Sequence, residues 1–177
     1  MPIVVVVFIA VFVILLARLV WVIQDIRKQR KNGVGKRRAK FPIKTVAVLG
    51  SGGHTTEMLQ LLKHVPSKAY DPLFYVIAST DETSERRVNA FGGRLPTEIY
   101  RIPRSREVGQ SYLTSIFTTL WAFGSSFVLV LRTRPDLVLC NGPGTCLPIA
   151  VCTFLLRIVG LCEGNLVFVE SFCRVER

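Results

Sequence analysis

The sequence lacks the two motifs that most often mark a nucleotide-binding enzyme. No Gly-Lys-Ser or Gly-Lys-Thr triplet occurs in the 177 residues, so the P-loop of ATPases is absent. The glycine-rich stretch beginning at Gly50 carries Thr55 where a dinucleotide fingerprint needs its third glycine. Nor does an acidic residue end a strand about 20 residues later, as that fingerprint requires. The sequence therefore disfavours an ATPase and a nucleotide-dependent oxidoreductase.

The cysteine and asparagine patterns lack the signs of an exported protein. The five cysteines are an odd number, and none belongs to a C-x-x-C pair. All lie in apolar or strand-like surroundings, which predicts buried, reduced thiols. No asparagine lies in an N-x-S/T glycosylation sequon. Both absences favour a domain on the cytosolic side of a membrane.

The first 17 residues contain no lysine or arginine, and residues 3–23 form a nearly unbroken apolar run. As a helix this run spans about 30 Å, the thickness of a bilayer's hydrocarbon core. A cleaved signal peptide, the alternative, would need a basic start, a shorter run and a small-residue cleavage site. We therefore predict an uncleaved transmembrane anchor over residues 1–24, with Arg18 near one end reaching the headgroups and Trp21 at the interface.

Residues 25–44 are predicted to form a basic cytosolic linker. Nine of the residues from 27 to 44 are Lys or Arg, and none is acidic. The positive-inside rule then predicts a single-pass protein with a lumenal N-terminus and a cytosolic main domain. Without Arg18, Asp25 and these nine residues, the chain carries 13 basic and 11 acidic residues, so the net charge of +11 belongs mainly to the linker. A nucleic-acid-binding tail is the alternative, but beside a membrane span we predict contact with membrane lipids and no nucleic acid.

Strand-like and helix-like segments alternate from residue 45 onwards. Short β-branched runs predict strands at 45–49, 73–78, 97–102, 136–140 and 166–170. Helical spacing and helix-ending Gly or Pro predict helices at 55–65, 82–91, 112–132 and 146–159. This alternation predicts an α/β fold with a parallel sheet, wound as a Rossmann-like domain over residues 45–177.

Two segments of this domain, 112–131 and 144–162, are apolar enough to suggest further membrane spans. The strands on either side need crossover helices, so we expect both segments to be buried helices that cover the sheet. The alternative for residues 112–131 is a helix that rests in the membrane interface, where Trp121 and Phe123 would suit it.

Two glycine turns carry candidate binding chemistry. The first comprises Gly50, Ser51, Gly52 and Gly53 between a strand and a helix, and the second contains Gly142 and Gly144 after a later strand. At such junctions backbone N–H groups and the positive helix end face an anion. Both turns should open at the carboxyl edge of one sheet, where Glu170 also ends the last strand. His54 is then either a structural histidine or a catalytic one.

Three motifs, taken in order, resemble one known family. They are V-A-V-L-G-S-G-G-H-T-T-E-M, D-L-V-L-C-N-G-P-G-T-C and L-V-F-V-E-S-F-C-R-V. After a membrane span, this series is similar to the asparagine-linked glycosylation fourteen family. It also resembles the acceptor half of the bacterial peptidoglycan N-acetylglucosamine (GlcNAc) transferase. The resemblance implies the acceptor half of a GT-B-type glycosyltransferase, in the enzyme that adds the second GlcNAc to GlcNAc-diphosphate-dolichol during N-linked glycan precursor synthesis.

The resemblance also implies a location, partners and site residues. Members of the family recruit a catalytic, donor-binding subunit of the asparagine-linked glycosylation thirteen family to the endoplasmic reticulum membrane. The two glycine turns and Thr55 would bind the acceptor diphosphate, and His54 or Glu170 would act as the base. UDP-GlcNAc would come with the partner, and no metal or other cofactor is expected. The roughly 135 residues after the linker have room for one Rossmann-like half, which agrees with a separate donor-binding chain.

Members of the family continue beyond the strand at 166–170 with another strand and a C-terminal helix. The chain stops at Arg177, so the resemblance implies a C-terminally truncated subunit that is not active alone. Two other functions stay open. One is a membrane scaffold that only recruits a soluble partner, and the other is a nucleotide-binding membrane oxidoreductase, which Thr55 disfavours.

Overall fold

The computed structural model describes residues 2–32, 42–92, 96–105, 109–142 and 144–169. Within these residues a long N-terminal helix precedes five strands that alternate with four helices. The helices are α1 (Pro2–Asn32), α2 (Gly53–Lys63), α3 (Glu82–Ala90), α4 (Tyr112–Thr133) and α5 (Cys146–Val159). The strands are β1 (Thr45–Val48), β2 (Leu73–Ala78), β3 (Glu98–Ile102), β4 (Leu137–Cys140) and β5 (Asn165–Phe168). The predicted order of elements is confirmed.

The strands form one parallel sheet in the order β3-β2-β1-β4-β5. Strand β1 lies in the middle, with Thr45 opposite Leu73 of β2 on one side and Leu137 of β4 on the other. The chain winds outward from β1 to β3 and then crosses back to β4, so the winding direction reverses between β1 and β4. This strand order confirms the predicted Rossmann-like α/β fold.

Two apolar layers cover the sheet because side chains alternate along each strand. Val46 and Val48 of β1 pack into a core formed with α4 and α5, whereas Ala47 and Leu49 pack against α2 and α3. All four of these side chains are fully buried or nearly so. A strand buried on both faces reads as a continuous apolar run, which is how β1 appears in the sequence.

Helix α1 packs against the last turn of α5. Arg18 donates from Nε to the carbonyl of Ile158 at 3.1 Å and from a terminal nitrogen to the carbonyl of Arg157 at 3.3 Å. Asp25 and Arg157 form an ion pair at 2.7 Å, and Val22 is fully buried. Arg18 therefore contacts carbonyls at the C-terminal end of α5, instead of reaching outward as the sequence suggested.

The part of α1 before Arg18 has no such packing. Side chains of residues 3–17 are exposed. By length and composition, two helices among the described residues are apolar enough to cross a membrane, over Ile3–Lys28 and Tyr112–Thr133. The first stretch covers residues 3–24 of the predicted anchor. Helix α5, with 14 residues, is shorter than a span requires.

Helix α4 covers the sheet only with its C-terminal half. Its buried residues are Ala122, Ser126, Leu129, Val130 and Thr133. Its N-terminal half exposes large apolar side chains, among them Leu113 at 77% and Trp121 at 71% of their surface. The prediction of a buried crossover helix is therefore right for the second half and wrong for the first.

Candidate functional site

The two glycine turns meet at the carboxyl edge of the sheet, where β1 and β4 lie side by side. A Cβ atom at Gly50 would collide with the carbonyl oxygen of Asn141 and lie 2.9 Å from the Cβ of His54. Only a residue without a side chain allows the backbones of the two turns to approach this closely. The turns therefore form one continuous surface at the point where ligands bind in open α/β sheets.

Side chains of α2 and α3 contact two carbonyl groups of the first glycine turn, those of Gly50 and Gly52. The carbonyl of Gly50 contacts the hydroxyl of Thr55 and lies 3.5 Å from the hydroxyl of Ser84, and the carbonyl of Gly52 accepts a hydrogen bond from Arg87. A trans peptide points its C=O and N–H in opposite directions. The N–H groups of Ser51 and Gly53 are therefore turned away from α3.

Buried polar side chains hold this arrangement in place. Ser84 donates from Oγ to Oδ2 of Asp81 at 2.7 Å, and its Oγ lies 2.6 Å from that of Thr55. Thr55 and Ser84 are fully buried, and Asp81 is 7% exposed. Asp81 also accepts from the backbone N–H of Ser84 at 3.1 Å and so caps α3. The Thr55 hydroxyl is thus engaged inside the protein, beneath the turn.

His54, the second residue of α2, stands where the two turns meet. A Cβ at Gly142 would lie 3.3 Å from its Cδ2 atom. Its Nδ1 is buried and lies 3.5 Å from Oε2 of Glu57, while the side chain as a whole is 37% exposed. The imidazole therefore turns its Nδ1 edge inward and leaves another part of the ring open to solvent.

Asn141 joins the two turns by side-chain hydrogen bonds. It is 1% exposed, and its Nδ2 donates to the carbonyl of His54 at 3.2 Å and to Oε2 of Glu57 at 3.1 Å. Its Oδ1 is buried and has no hydrogen-bond partner among the residues that the structure describes. Asn141, which directly follows β4, thus holds both the backbone of α2 at His54 and the Glu57 carboxylate beside it.

The second glycine turn is held by its own neighbours. Gly142 has φ +93°, a left-handed conformation that favours glycine. The carbonyl of Gly144 accepts a hydrogen bond from Ser105, 3.3 Å away, in the segment after β3. Two cysteines, Cys140 and Cys146, flank this turn and are buried. The pKa of the Cys140 thiol is raised, mainly by its hydrogen bond with Cys146 and also by burial. Cys140 therefore stays a neutral thiol.

Comparison with known proteins identifies the family. The family profile described as "Oligosaccharide biosynthesis protein Alg14 like" matches residues 45–177. A protein of Yarrowia lipolytica named UDP-N-acetylglucosamine transferase subunit ALG14 is 36% identical over 173 residues, which cover 95% of this chain and 79% of that protein. The chain belongs to the Alg14 family. The resemblance read from the three motifs is thereby confirmed.

Mammalian relatives in the Alg14 family are more similar. The human protein named UDP-N-acetylglucosamine transferase subunit ALG14 is 52% identical over 141 residues, or 74% of this chain and 65% of the human one. The mouse protein of the same name is 50% identical over 145 residues, which cover 66% of it. The chain thus spans about two thirds of the length of these relatives. Their names describe them as subunits of a transferase.

Most predicted site residues of this Alg14 family member come together. Gly50, Ser51, Gly52, Gly53, Thr55, Gly142 and Gly144 all lie in or beside the two adjoining turns, next to His54. Glu170 lies outside the described residues, so its predicted role stays a prediction. No group of His, Cys, Asp or Glu suited to a metal ion occurs in the described part of the chain.

Sequence reasoning missed four side chains that shape the site. They are Glu57, Ser84, Arg87 and Asn141. Glu57 was detectable, because residues three apart share one face of a helix and Glu57 follows His54 by three. Ser84 and Arg87 reach the site from α3, and Asn141 reaches it from the end of β4. Only the strand order brings those elements to the first glycine turn, and no local pattern reveals it.

Proposed function

We propose that this chain is the membrane-anchoring, acceptor-binding subunit of a UDP-GlcNAc transferase that extends a GlcNAc-diphosphate-dolichol acceptor. The observation that carries the proposal is that two glycine turns and His54 meet between β1 and β4, where the winding direction of the sheet reverses. The relatives of this chain are also named transferase subunits. Neither feature would suffice alone, because glycine turns also serve packing and a family name does not identify a site.

The first glycine turn is the proposed diphosphate site. The Gly50 carbonyl faces Thr55 and Ser84, and the Gly52 carbonyl faces Arg87. The N–H groups of Ser51 and Gly53, on the opposite sides of these peptides, therefore point away from those side chains at the positive end of α2. No backbone carbonyl among the described residues accepts a hydrogen bond from either group. Backbone N–H donors at a helix start favour an anion, and Gly53 has no atom within 4 Å of its Cβ position. We propose that backbone groups bind the diphosphate and that Thr55 supports the turn from beneath.

His54 is the proposed general base. In the reaction, the acceptor hydroxyl loses its proton to the imidazole, and its oxygen bonds to the anomeric carbon of the donor GlcNAc. The bond from that carbon to the diphosphate breaks, and UDP leaves with the electron pair. The partly exposed ring of His54 beside both turns supports this role.

The donor-binding half is proposed to come from a partner of the asparagine-linked glycosylation thirteen family. The described residues after α1 form one five-stranded Rossmann-like unit. A two-domain glycosyltransferase of the proposed type needs two such units, which supports a separate donor-binding chain. The glycine turns line the open carboxyl edge of that unit. A second domain that brings UDP-GlcNAc to this edge would enclose the reacting groups.

The proposed location is the endoplasmic reticulum membrane, with the domain on the cytosolic side. The exposed apolar residues 3–17 and the basic residues that follow α1 support a single span of this orientation. We also propose that the exposed start of α4 rests in the bilayer interface. Its apolar side chains there are Tyr112, Leu113, Ile116, Phe117, Leu120 and Trp121.

A transferase assay tests the proposal. Membranes carrying this chain would receive the donor-binding subunit, UDP-GlcNAc and a dolichol-type diphosphate-GlcNAc acceptor. We expect His54→Ala to lower kcat by about 10²- to 10⁴-fold, as loss of a general base does. His64→Ala is the matched control, because His64 is the other histidine and lies exposed at the end of α2.

A second variant separates ligand binding from folding. Gly53→Ala adds a methyl group that meets no protein atom, so the fold should be kept while the acceptor's approach is hindered and its KM rises. If Gly53→Ala and His54→Ala both kept full activity, with partner binding intact, the chain would be a scaffold that recruits the partner and does not bind the acceptor.

A further inference from the structure

A carboxylate lies on the inner side of the proposed base. Glu57 and His54 are three residues apart on α2, and Oε2 of Glu57 lies 3.5 Å from Nδ1 of His54. The Glu57 side chain is 21% exposed, so solvent screens it only in part. Nδ1 itself is buried, without a hydrogen-bond partner among the described residues. The geometry leaves Glu57 as a nearby acceptor for a proton on Nδ1.

Asn141 keeps this carboxylate in place from the other side of the site. Its Nδ2 donates to Oε2 of Glu57 at 3.1 Å and to the carbonyl of His54 at 3.2 Å. The opposite orientation of the amide would set its oxygen against two other oxygens, which is unfavourable. Asn141 is 1% exposed and precedes the second glycine turn. The position of Glu57 therefore depends on the contact between the two glycine turns.

We infer that Glu57 is a positioning residue that holds the proton of His54 on Nδ1 and so leaves Nε2 free as the base. A neutral imidazole carries one N–H and one acceptor nitrogen, and the hydrogen bond at one nitrogen decides the state of the other. This inference rests on the proposed function of His54. The separation of 3.5 Å is long, but such contacts often shorten when substrate binds.

A purely structural role for Glu57 is the competing explanation. Glu57 accepts a hydrogen bond from the amide of Asn141, and that bond alone would stabilise the contact between the two turns. Such a role would affect folding whether or not His54 is present. The test must therefore ask whether the effect of Glu57 depends on His54.

A double-mutant cycle in the membrane-bound complex with the donor-binding subunit answers this. The proteins are the unchanged chain, Glu57→Gln, His54→Ala and the double variant. Gln keeps an oxygen for Asn141 but removes the charge. We expect Glu57→Gln to lower kcat at least about 10-fold, the scale found for side chains that orient a functional group, with acceptor KM unchanged. In the His54→Ala background the same change should cost nothing further.

Two further variants serve as controls for the loss of the Glu57 charge. Glu57→Asp keeps the charge on a shorter side chain, and it should retain more activity than Glu57→Gln if the charge matters. Glu82→Gln removes an acidic residue of a different helix, α3, whose side chain is 79% exposed. That control should keep full activity.

The possible outcomes distinguish the positioning role of Glu57 from the proposed base role of His54. Equal losses from Glu57→Gln in both backgrounds would mean a structural role, and no loss in either would mean no role, so both would overturn the inference alone. Full activity of His54→Ala would overturn the base assignment and the inference with it.

Discussion

Replacing Gly50 by alanine tests how tightly the two glycine turns are packed. The added Cβ would collide with the carbonyl oxygen of Asn141 and lie 2.9 Å from the Cβ of His54. Both neighbours belong to or adjoin the backbone, so neither can swing aside as the end of a flexible side chain would. Overpacking costs about 1–3 kcal/mol, and because both contacts are with rigid atoms we expect about 3 kcal/mol for this variant.

Gly53→Ala is the matched control for this measurement. It lies in the same turn, its added Cβ meets nothing within 4 Å, and it begins α2, where alanine is not less favourable than glycine. Thermal unfolding of the full chain in detergent, followed by circular dichroism, should show a midpoint about 10 °C lower for Gly50→Ala. The midpoint of Gly53→Ala should not fall.

The comparison can fail in two ways. An unchanged midpoint for Gly50→Ala would mean that the turns separate freely, and the contact between β1 and β4 would then not shape the site. Equal losses in both variants would mean that the whole first turn rejects side chains, which contradicts the open space at Gly53.

Two other predictions concern stability. Asp25→Ala should lower the free energy of unfolding by about 1–3 kcal/mol in urea titrations, the cost of leaving a buried polar group, here Arg157, without one of its partners. Glu82→Ala, which breaks an exposed pair, should cost less than about 0.5 kcal/mol, and equal effects would contradict the pairing of Asp25 with the nearly buried Arg157. Burial raises the pKa of Cys152 and Cys162, so the folded state keeps their protons longer than the unfolded state. Stability should therefore fall as pH rises above about 8.5, and a double alanine variant at these cysteines should flatten that fall.

Local sequence patterns were sufficient for the elements of the fold. Strand β1 could be predicted because it is apolar on both faces, and α5 because an apolar helix ends at Gly160, which has φ +84°. The start of α4 was misjudged for a physical reason. Its apolar residues look like core residues in the sequence, and only the structure shows that no part of the domain core covers them among the described residues.

The site could be predicted only in part, because its residues meet through long-range contacts. The sequence indicated both glycine turns and the edge of the sheet they share. It did not indicate that β1 and β4 are neighbours, on which the hydrogen bonds of Asn141 to His54 and Glu57 depend. It likewise gave no sign that Arg87, 35 positions from Gly52, donates to that residue's carbonyl.

The contact between α1 and α5 limits how the domain can move relative to its anchor. An anchor joined by a loose linker would let the domain tumble above a membrane and sample many distances. Arg18 and the pair of Asp25 with Arg157 fasten α1 to the domain ahead of the basic residues, which begin at Arg27. If α1 spans the bilayer as proposed, the glycine turns keep a constant height and tilt. The domain then moves only by drifting in the plane and by turning about the membrane normal, so its encounters with a lipid-linked acceptor become two-dimensional.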